Sequence, residues 1–382
     1  MKEPGFETLC AHFGDDPDRF LGAPVPPIFQ NSLFTSPDTE AFLRRGDRRP
    51  SGYDYTRVAN PTTEVFEQKL AALEKTDLAR CFGSGMAAVC AAVLSRVRAG
   101  DHVVAVESAY GPTRSFLSDY LARFQIGVTY VPGDDPEQFA AAARPETRLY
   151  YLESPSSLVM RLQDVEAVVT LARERNIATV LDNSWATPYF QNPVEFGVDL
   201  VVHSATKYLG GHSDVVAGVV MGPEKHMRLL IAQEGVLLGS ILDPFAAWLL
   251  LRGVRTLGVR MDRHQQSGLA VARFLEAHPK VACVAYPGLE SHPQYALARR
   301  QMRGCSGLLS FALKDGGFSA ARDFVDRLRY FGIAVSWGGF ESLAIPLTFP
   351  PDAAGQVLAG ARISVGLETV EDLLEDLAQA LE

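Results

Sequence analysis

The sequence has 382 residues, which is long for one hydrophobic core and enough for two domains. Hydrophobic residues make up 47% of it and charged residues 21%, as in soluble globular proteins. The formal net charge of −9 argues against a nucleic-acid partner, which would require a basic face. No apolar run approaches the roughly 20 residues of a membrane span, and the first residues lack the apolar core of a signal peptide.

The cysteines indicate a reducing compartment. They form no CxxC pair and no spacing that suits a metal ion, and their number is odd. They are Cys10, Cys81, Cys90, Cys283 and Cys305. This pattern favours reduced thiols in a cytoplasmic protein over a disulfide framework, and we expect no metal site.

Residues 1–50 are rich in proline and charge. Such a segment has little means of burying its own core, so we predict an extended arm that lies on a neighbouring subunit. The apolar pairs Ile28-Phe29 and Leu33-Phe34 favour burial over a free tail.

Tyr55 and Arg57 follow this arm. If the backbone is extended there, the phenol and the guanidinium point to the same side, which suits two contacts to one phosphate group. Because both residue types are common at surfaces, the pair alone is a weak signal.

A glycine-containing turn at 83–86 precedes a helical run at 87–94. Glycines at a helix start let backbone N–H groups approach an anion, and the helix dipole favours negative charge there. Gly85 and Met86 are therefore candidates for binding a phosphate group, although the turn alone is a weak signal.

Short apolar runs alternate with helical patterns between residues 102 and 221. The predicted strands are 102–106, 127–131, 148–152, 178–181, 199–203 and 215–221. The predicted helices are 62–73, 113–124, 136–143 and 165–176. This alternation predicts a large α/β domain over 51–240, with a mostly parallel sheet and with ligands at the carboxyl ends of its strands.

Asp182 and Lys207 each follow an apolar run and therefore sit at strand ends. Lysine is the side chain that forms Schiff bases with aldehydes. An aspartate 207 − 182 = 25 residues upstream, on a neighbouring strand, is what the ring nitrogen of pyridoxal phosphate (PLP) requires, because its carboxylate keeps that nitrogen protonated. The small hydroxylic neighbours Ser204 and Thr206 leave room for a planar ligand.

Residues 241–382 predict a smaller α/β domain. Its expected helices are 245–257, 258–277, 318–328 and 370–381, the last with Thr369 as N-cap. Its expected strands are 307–313, 333–337 and 361–365. Arg362 lies inside the last strand among apolar residues, where a guanidinium needs a carboxylate partner. That partner is either an internal acid such as Glu341 or a ligand.

Taken together, these motifs resemble the PLP-dependent enzymes of cysteine and methionine metabolism. They occur in that family's order over nearly the whole chain. The matching segments are Tyr53–Arg57 with Asn60–Thr62, Gly83–Ala87, Asp182-Asn183, Ser204–Tyr208 with Gly211–Asp214, Ser336–Ser342 and Arg362–Glu368.

The resemblance implies a fold and an assembly. We expect PLP-dependent fold type I, similar to aspartate aminotransferase, with PLP as cofactor. We also expect a homo-oligomer, a tetramer built from dimers, in which Tyr55 and Arg57 reach the neighbouring subunit's site.

The resemblance also implies residue roles. Catalytic roles fall to Lys207, Tyr110 and Tyr55. The cofactor would be bound by Lys207, Asp182, Gly85, Met86, Ser204, Thr206, Tyr110, Tyr55, Arg57 and Ser157. The substrate, a small sulfur amino acid, would contact Arg362, Ser336, Trp337 and Tyr110.

Four positions resemble the cystathionine β-lyase branch most. Ser157 stands where many relatives have asparagine, Trp337 where γ-cleaving relatives often have leucine, and Val335 where several have glutamate. Pro112 replaces the cysteine usual in methionine γ-lyases. These residues predict β-elimination of L-cystathionine to homocysteine, pyruvate and ammonia.

The alternatives are a cystathionine γ-lyase, a cystathionine γ-synthase or a methionine γ-lyase with the same machinery. A non-catalytic PLP-fold regulator is disfavoured, because Lys207, Asp182, Tyr110, Arg57 and Arg362 are present together. Arg114 fits neither branch: it either answers a distal carboxylate of the substrate or faces solvent.

Overall fold

Seven strands form the larger of two sheets in the computed structural model, which describes residues 4–44, 52–351 and 355–382. The strands are β1 (Leu78–Phe82), β2 (His102–Val106), β3 (Gly127–Val131), β4 (Thr147–Glu153), β5 (Ala178–Asp182), β6 (Leu200–His203) and β7 (Gly218–Gly222). Their order is β1-β7-β6-β5-β4-β2-β3. The five strands from β6 to β3 are parallel, and β7 is antiparallel to both of its neighbours.

The helices up to residue 230 accompany this sheet. They are α1 (Phe6–His12), α2 (Thr39–Leu43), α3 (Pro61–Glu74), α4 (Gly85–Leu94), α5 (Gly111–Ser115), α6 (Glu137–Ala142), α7 (Val165–Glu174), α8 (Thr187–Phe190) and α9 (Glu224–Leu230). Side chains cap the N-termini of several helices: the Asn60 amide oxygen accepts from Thr62 N at the start of α3, and the Asp164 carboxylate accepts from Ala167 N at the start of α7. After α5 the chain continues through a π-helical turn, Phe116–Tyr120, and a 3₁₀ turn, Leu121–Phe124.

The second sheet is smaller and mostly antiparallel. It contains β8 (Val281–Ala285), β9 (Leu308–Leu313), β10 (Gly332–Ile333), β11 (Leu343–Thr348) and β12 (Ala359–Ser364), in the order β10-β11-β12-β9-β8. The accompanying helices are α10 (Pro244–Val254), α11 (Leu257–Ala277), α12 (Tyr295–Gln301), α13 (Gly317–Arg327) and α14 (Val370–Ala380). The predicted α/β class, with a mostly parallel large sheet and a second smaller one, is confirmed. Among the described residues, no helix is both long and apolar enough to span a membrane.

The N-terminal arm was predicted to be extended, but it is not fully extended in the structure. It contains α1 and α2, and the Lys69 ammonium donates to the carbonyls of Leu9 and Cys10 at 3.4 and 2.9 Å. The buried Cys10 and this lysine therefore fasten α1 to the body of the chain. Residues 1–3 and 45–50 of the arm lie outside the described residues.

Two strand predictions also need correction. The strand expected at 333–337 stops at Ile333, because Ser336 has a φ of 101° and Gly338 one of 83°, which no strand accommodates. The strand expected at 215–221 begins only at Gly218 and runs antiparallel. Thr369 occupies the N-cap position of α14, but its side chain makes no capping hydrogen bond.

The central strands are buried, and this fixes where polar chemistry can occur. β2, β6 and β7 are buried at every position. The ionisable side chains of interest therefore lie where strands end: Glu153 ends β4, Asp182 ends β5, and Lys207 follows β6.

We predict that Gly253→Ala destabilises the protein. An added Cβ would lie 2.3 Å from Gly210 O and 2.8 Å from Leu209 O, in the turn that follows Lys207. Relieving this overlap should cost about 1–3 kcal/mol and lower the midpoint of thermal unfolding by several degrees. Gly111→Ala is the matched control, because nothing lies within 4 Å of its added Cβ. Equal midpoints for the two variants would contradict the prediction.

Candidate active site

Lys207 lies in the turn after β6, and its ammonium is held by the C-terminal part of the chain. Nζ donates to Ser336 Oγ at 2.7 Å and lies 5.4 Å from the centre of the Trp337 ring. Burial lowers the pKa of Lys207, the Arg362 charge lowers it further, and Asp182 opposes both, so that the pKa is about 8. The lysine is therefore close to the neutral state that a nucleophile or base requires.

Asp182 ends β5, and one of its oxygens is anchored. Oδ1 accepts from Ser184 N at 2.9 Å and from Ser184 Oγ at 2.6 Å. Ser204 N in turn donates to Ser184 Oγ at 2.6 Å. Burial raises the pKa of Asp182 despite the two bonds from Ser184. Within the described residues Oδ2 has no hydrogen bond, so it remains free to accept one from a ligand.

Ser184 was not among the predicted site residues. An aspartate that accepts from the backbone two residues later is a common turn, and Asp-x-Ser is its signal. The serine hydroxyl cannot be assigned from that pattern, because its link to Ser204 joins two neighbouring strand ends.

The N-terminus of α4, where a phosphate site was predicted, lies against Ser204. Ser84 caps the helix by accepting from Ala87 N at 3.1 Å. A Cβ on Gly85 would lie 2.7 Å from Ser204 Oγ, so glycine allows the helix start to approach Ser204. The backbone of Gly85 and Met86 and the Ser204 hydroxyl are thus brought together, as predicted.

Thr206 is engaged differently from the expectation. Its hydroxyl donates to Ala217 O at 3.1 Å and accepts from Ala217 N at 3.0 Å. In this arrangement Thr206 fastens the turn before Lys207 to the segment leading into β7. A contact to phosphate would require its proton to leave Ala217 O.

Glu153 joins the loops that carry Tyr110 and Ser157. Its two carboxylate oxygens accept from Tyr110 N at 2.8 Å and from Ser157 N at 2.7 Å. Burial, and then the neighbouring Asp182 carboxylate, raise the pKa of Glu153 to about 7. The Tyr110 side chain is 52% exposed and is free to contact a ligand. Glu153 was not among the predicted site residues, although it ends a strand as Asp182 does.

Arg362 is buried in β12 without a carboxylate partner among the described residues. Nη2 donates to Ser336 O at 2.8 Å, and the buried Nε has no hydrogen-bond partner. Burial lowers the pKa of Arg362, against the influence of Tyr110. The alternative of a salt bridge to Glu341 is wrong, because Arg362 forms no ion pair among the described residues; Glu341 Oε1 accepts from Ser213 Oγ at 2.5 Å, and its Oε2 has no hydrogen-bond partner. An unpaired buried guanidinium is suited to a ligand carboxylate.

Ser336 and Trp337 reach the site on an irregular loop. Gly338 has no room for a side chain, since an added Cβ would lie 2.8 Å from Tyr208 N. The loop therefore packs directly on the residue after Lys207, and the Trp337 ring lies 5.4 Å from that of Tyr208. Val335 is 79% exposed.

Tyr55 and Arg57 are not hydrogen-bonded to the other predicted site residues of the chain. Both are exposed, with Arg57 Cζ 5.6 Å from the Tyr55 ring centre and Nη1 donating to Val236 O at 2.8 Å. Arg114 lies with Cζ 5.0 Å from the ring centre of Tyr130 and is exposed, so it faces solvent.

The residues present fit PLP. The free Asp182 Oδ2 suits a protonated ring nitrogen, the start of α4 with Ser204 suits a phosphate, and the amine of Lys207 suits an aldehyde. The unpartnered Nε of Arg362 adds a site for the carboxylate of an amino acid.

Comparisons with known proteins identify the family of the chain. Residues 7–382 match the family described as Cys/Met metabolism PLP-dependent enzyme. The whole chain is 41% identical to the L-methionine gamma-lyase of Treponema denticola and 40% identical to that of Pseudomonas putida, covering 98% of each. It is also 39% identical to a cystathionine gamma-synthase of Mycobacterium bovis, over 99% of this chain and 97% of that protein. The chain therefore belongs to the PLP-dependent enzymes of cysteine and methionine metabolism.

Proposed function

We propose that the protein is a carbon–sulfur lyase that cleaves an amino acid of the methionine type at its γ-carbon. The observation that carries the proposal is full-length similarity, at 40–41% identity, to proteins named L-methionine gamma-lyase. The comparisons favour this alternative over the cystathionine β-elimination that the sequence analysis put first. For methionine the products would be methanethiol, 2-oxobutyrate and ammonia, with one water consumed.

Arg362 would bind the substrate's α-carboxylate. Its Nε has no partner among the described residues, and Nη2 contacts only a main-chain carbonyl. A carboxylate can accept from both positions at once, which orients the substrate as well as binding it.

Lys207 would move the protons. PLP, when bound, supplies an aldehyde for amines and a ring that withdraws electrons from Cα. Lys207 Nζ, with a pKa of about 8, is suited to remove the proton from the substrate Cα. Elimination at the γ-carbon also requires a proton to leave Cβ and one to reach the departing sulfur, and Tyr110 is the proposed donor to sulfur.

The two positions considered for a distal charge contact favour methionine over cystathionine. Cystathionine carries a second carboxylate and amine beyond its sulfur. Arg114, the cation considered for that carboxylate, is exposed beside Tyr130. Val335 offers no charge for the distal amine.

A specific observation favours β-elimination of L-cystathionine as the second candidate. Trp337 lies against Tyr208 and 5.4 Å from Lys207 Nζ, so its indole narrows the pocket beside the reacting amine. Ser157 stands in place of the asparagine of many relatives. This candidate predicts pyruvate rather than 2-oxobutyrate.

We also infer a homo-oligomer with shared sites. Tyr55 and Arg57 are exposed and unused by their own chain's site, and Leu33 beside Tyr55 is 55% exposed. In a dimer these groups would complete the phosphate site of the neighbouring subunit. The domain limits of 51–240 and 241–382 and the arm's contact with a partner remain predictions.

The oxo acid product tests the proposed function. The purified protein with PLP should convert L-methionine to 2-oxobutyrate and methanethiol, both identified by mass. L-cystathionine should be assayed in parallel, with Lys207→Ala as the inactive control. Pyruvate and homocysteine from cystathionine, without turnover of methionine, would establish the β-lyase candidate instead.

We predict that Lys207 in the apoprotein titrates with a midpoint near pH 8. Its folded pKa is lowered from 10.5 to about 8, so the amine becomes neutral, and reactive, as the pH rises through 8. Acetylation of Lys207 across pH 6–11, quantified by mass spectrometry, measures this midpoint. Arg362→Ala should raise it, because a nearby positive charge is removed. In the urea-unfolded chain the midpoint should be about 10.4. A folded midpoint near 10 would contradict the assignment.

We predict that Asp182→Asn lowers kcat at least about a hundredfold, the scale for loss of one preorganised electrostatic partner. The amide retains the shape but not the charge that keeps the cofactor's ring nitrogen protonated. Ser184→Ala is the graded comparison: it removes one of two bonds to Asp182, so a smaller loss is expected. Steady-state kinetics decide, and near-normal kcat for the asparagine variant would exclude the role.

A further inference from the structure

Glu153 is a buried acid whose charge has no cationic partner among the described residues. It ends β4, is 7% exposed, and is paired in register with Asp182 of β5, so both carboxylates lie on the same face of the sheet. A second carboxylate beside Asp182 is electrostatically unfavourable. Some other interaction must therefore favour a glutamate at this position.

That interaction is with two separate loops. Oε2 accepts from Tyr110 N, in the loop after β2, and Oε1 accepts from Ser157 N, in the loop after β4. The Tyr110 side chain is 52% exposed, so little packing locates its ring. The Tyr110 backbone is held by two bonds: its carbonyl accepts from Arg114 N at 3.0 Å within α5, and its N–H donates to Glu153, which is the bond that reaches another strand.

We propose that Glu153 is a positioning residue that sets the separation of Tyr110 and Ser157 across the cofactor site. The inference rests on the proposed cofactor contacts of Tyr110 and Ser157. It does not depend on which carbon–sulfur bond is cleaved.

Only a glutamate meets the requirement. An ionised carboxylate accepts at both oxygens, whereas glutamine has one accepting oxygen and an NH₂ group that would face a second N–H donor. Aspartate keeps the charge but is one methylene shorter. A neutral link between the same loops, Ser108 Oγ to Ser156 Oγ at 2.7 Å, provides a matched comparison that involves no charge.

The test compares Glu153→Gln, Glu153→Asp and Ser108→Ala. Apoprotein titrated with PLP gives the dissociation constant by absorbance, and circular dichroism of the bound cofactor reports its asymmetric surroundings. For Glu153→Gln we expect the dissociation constant for PLP to rise about tenfold, which is the effect expected when a buried donor loses its acceptor. The intensity of the dichroic band should fall by at least half. The aspartate variant should also be impaired, and Ser108→Ala should stay within about twofold of the parent. A normal band and dissociation constant in Glu153→Gln would overturn the proposal.

Two further measurements keep the outcomes separate. Tyr110→Ala tests the contact itself: an unchanged band there would refute the cofactor contact of Tyr110, and with it the proposal that Glu153 positions that contact. If Glu153→Gln does not fold, amide hydrogen exchange in the parent apoprotein decides. The amides of Tyr110 and Ser157 should exchange at least about a hundredfold more slowly than free amides, because each donates to a buried carboxylate. Exchange as fast as in exposed loops would overturn the proposal.

Discussion

A partly buried lysine amine is the constraint on which the rest of the site depends. Burial and the Arg362 charge both favour the neutral form of Lys207, and Asp182 alone opposes them. Three ionisable groups in one buried space need polar partners that carry no charge. Ser336 supplies its hydroxyl to Lys207 and its carbonyl to Arg362, while Ser184 supplies two donors to Asp182. The charges are thus separated by neutral groups rather than cancelled by ion pairs, which leaves them available to a ligand.

The predicted strands of the large sheet match the structure closely from β2 to β6, because buried parallel strands are continuous apolar runs bounded by polar ends. Asp182 and Lys207 could be assigned from those ends. Glu153 and Ser184 could not, although they lie beside the same strand ends. Their roles come from partners on other strands and loops, and a single sequence does not reveal such register.

In the C-terminal half, the sequence pattern predicted the structure less well. The segment 333–337 alternates like a strand, yet tertiary contacts override the pattern. Gly338 packs on Tyr208 N, and the backbone of Ser336 adopts a φ of 101°. A non-glycine residue in that region is unfavourable unless its surroundings hold it, and here Lys207 and Arg362 both bind Ser336. The departure from the predicted strand is therefore what brings a hydroxyl to the amine.

The same geometry bears on which bond is cleaved. Removal of the α-proton needs only one position of the Lys207 amine, whereas γ-cleavage needs a second proton to leave Cβ. Lys207 Nζ makes one side-chain hydrogen bond and no ion pair with the described residues, so its long side chain can turn from one carbon to the next. The Trp337 ring, 5.4 Å from Nζ, limits this movement. The freedom of the amine therefore supports the proposed γ-cleavage, whereas the indole that narrows the pocket supports the β-elimination candidate.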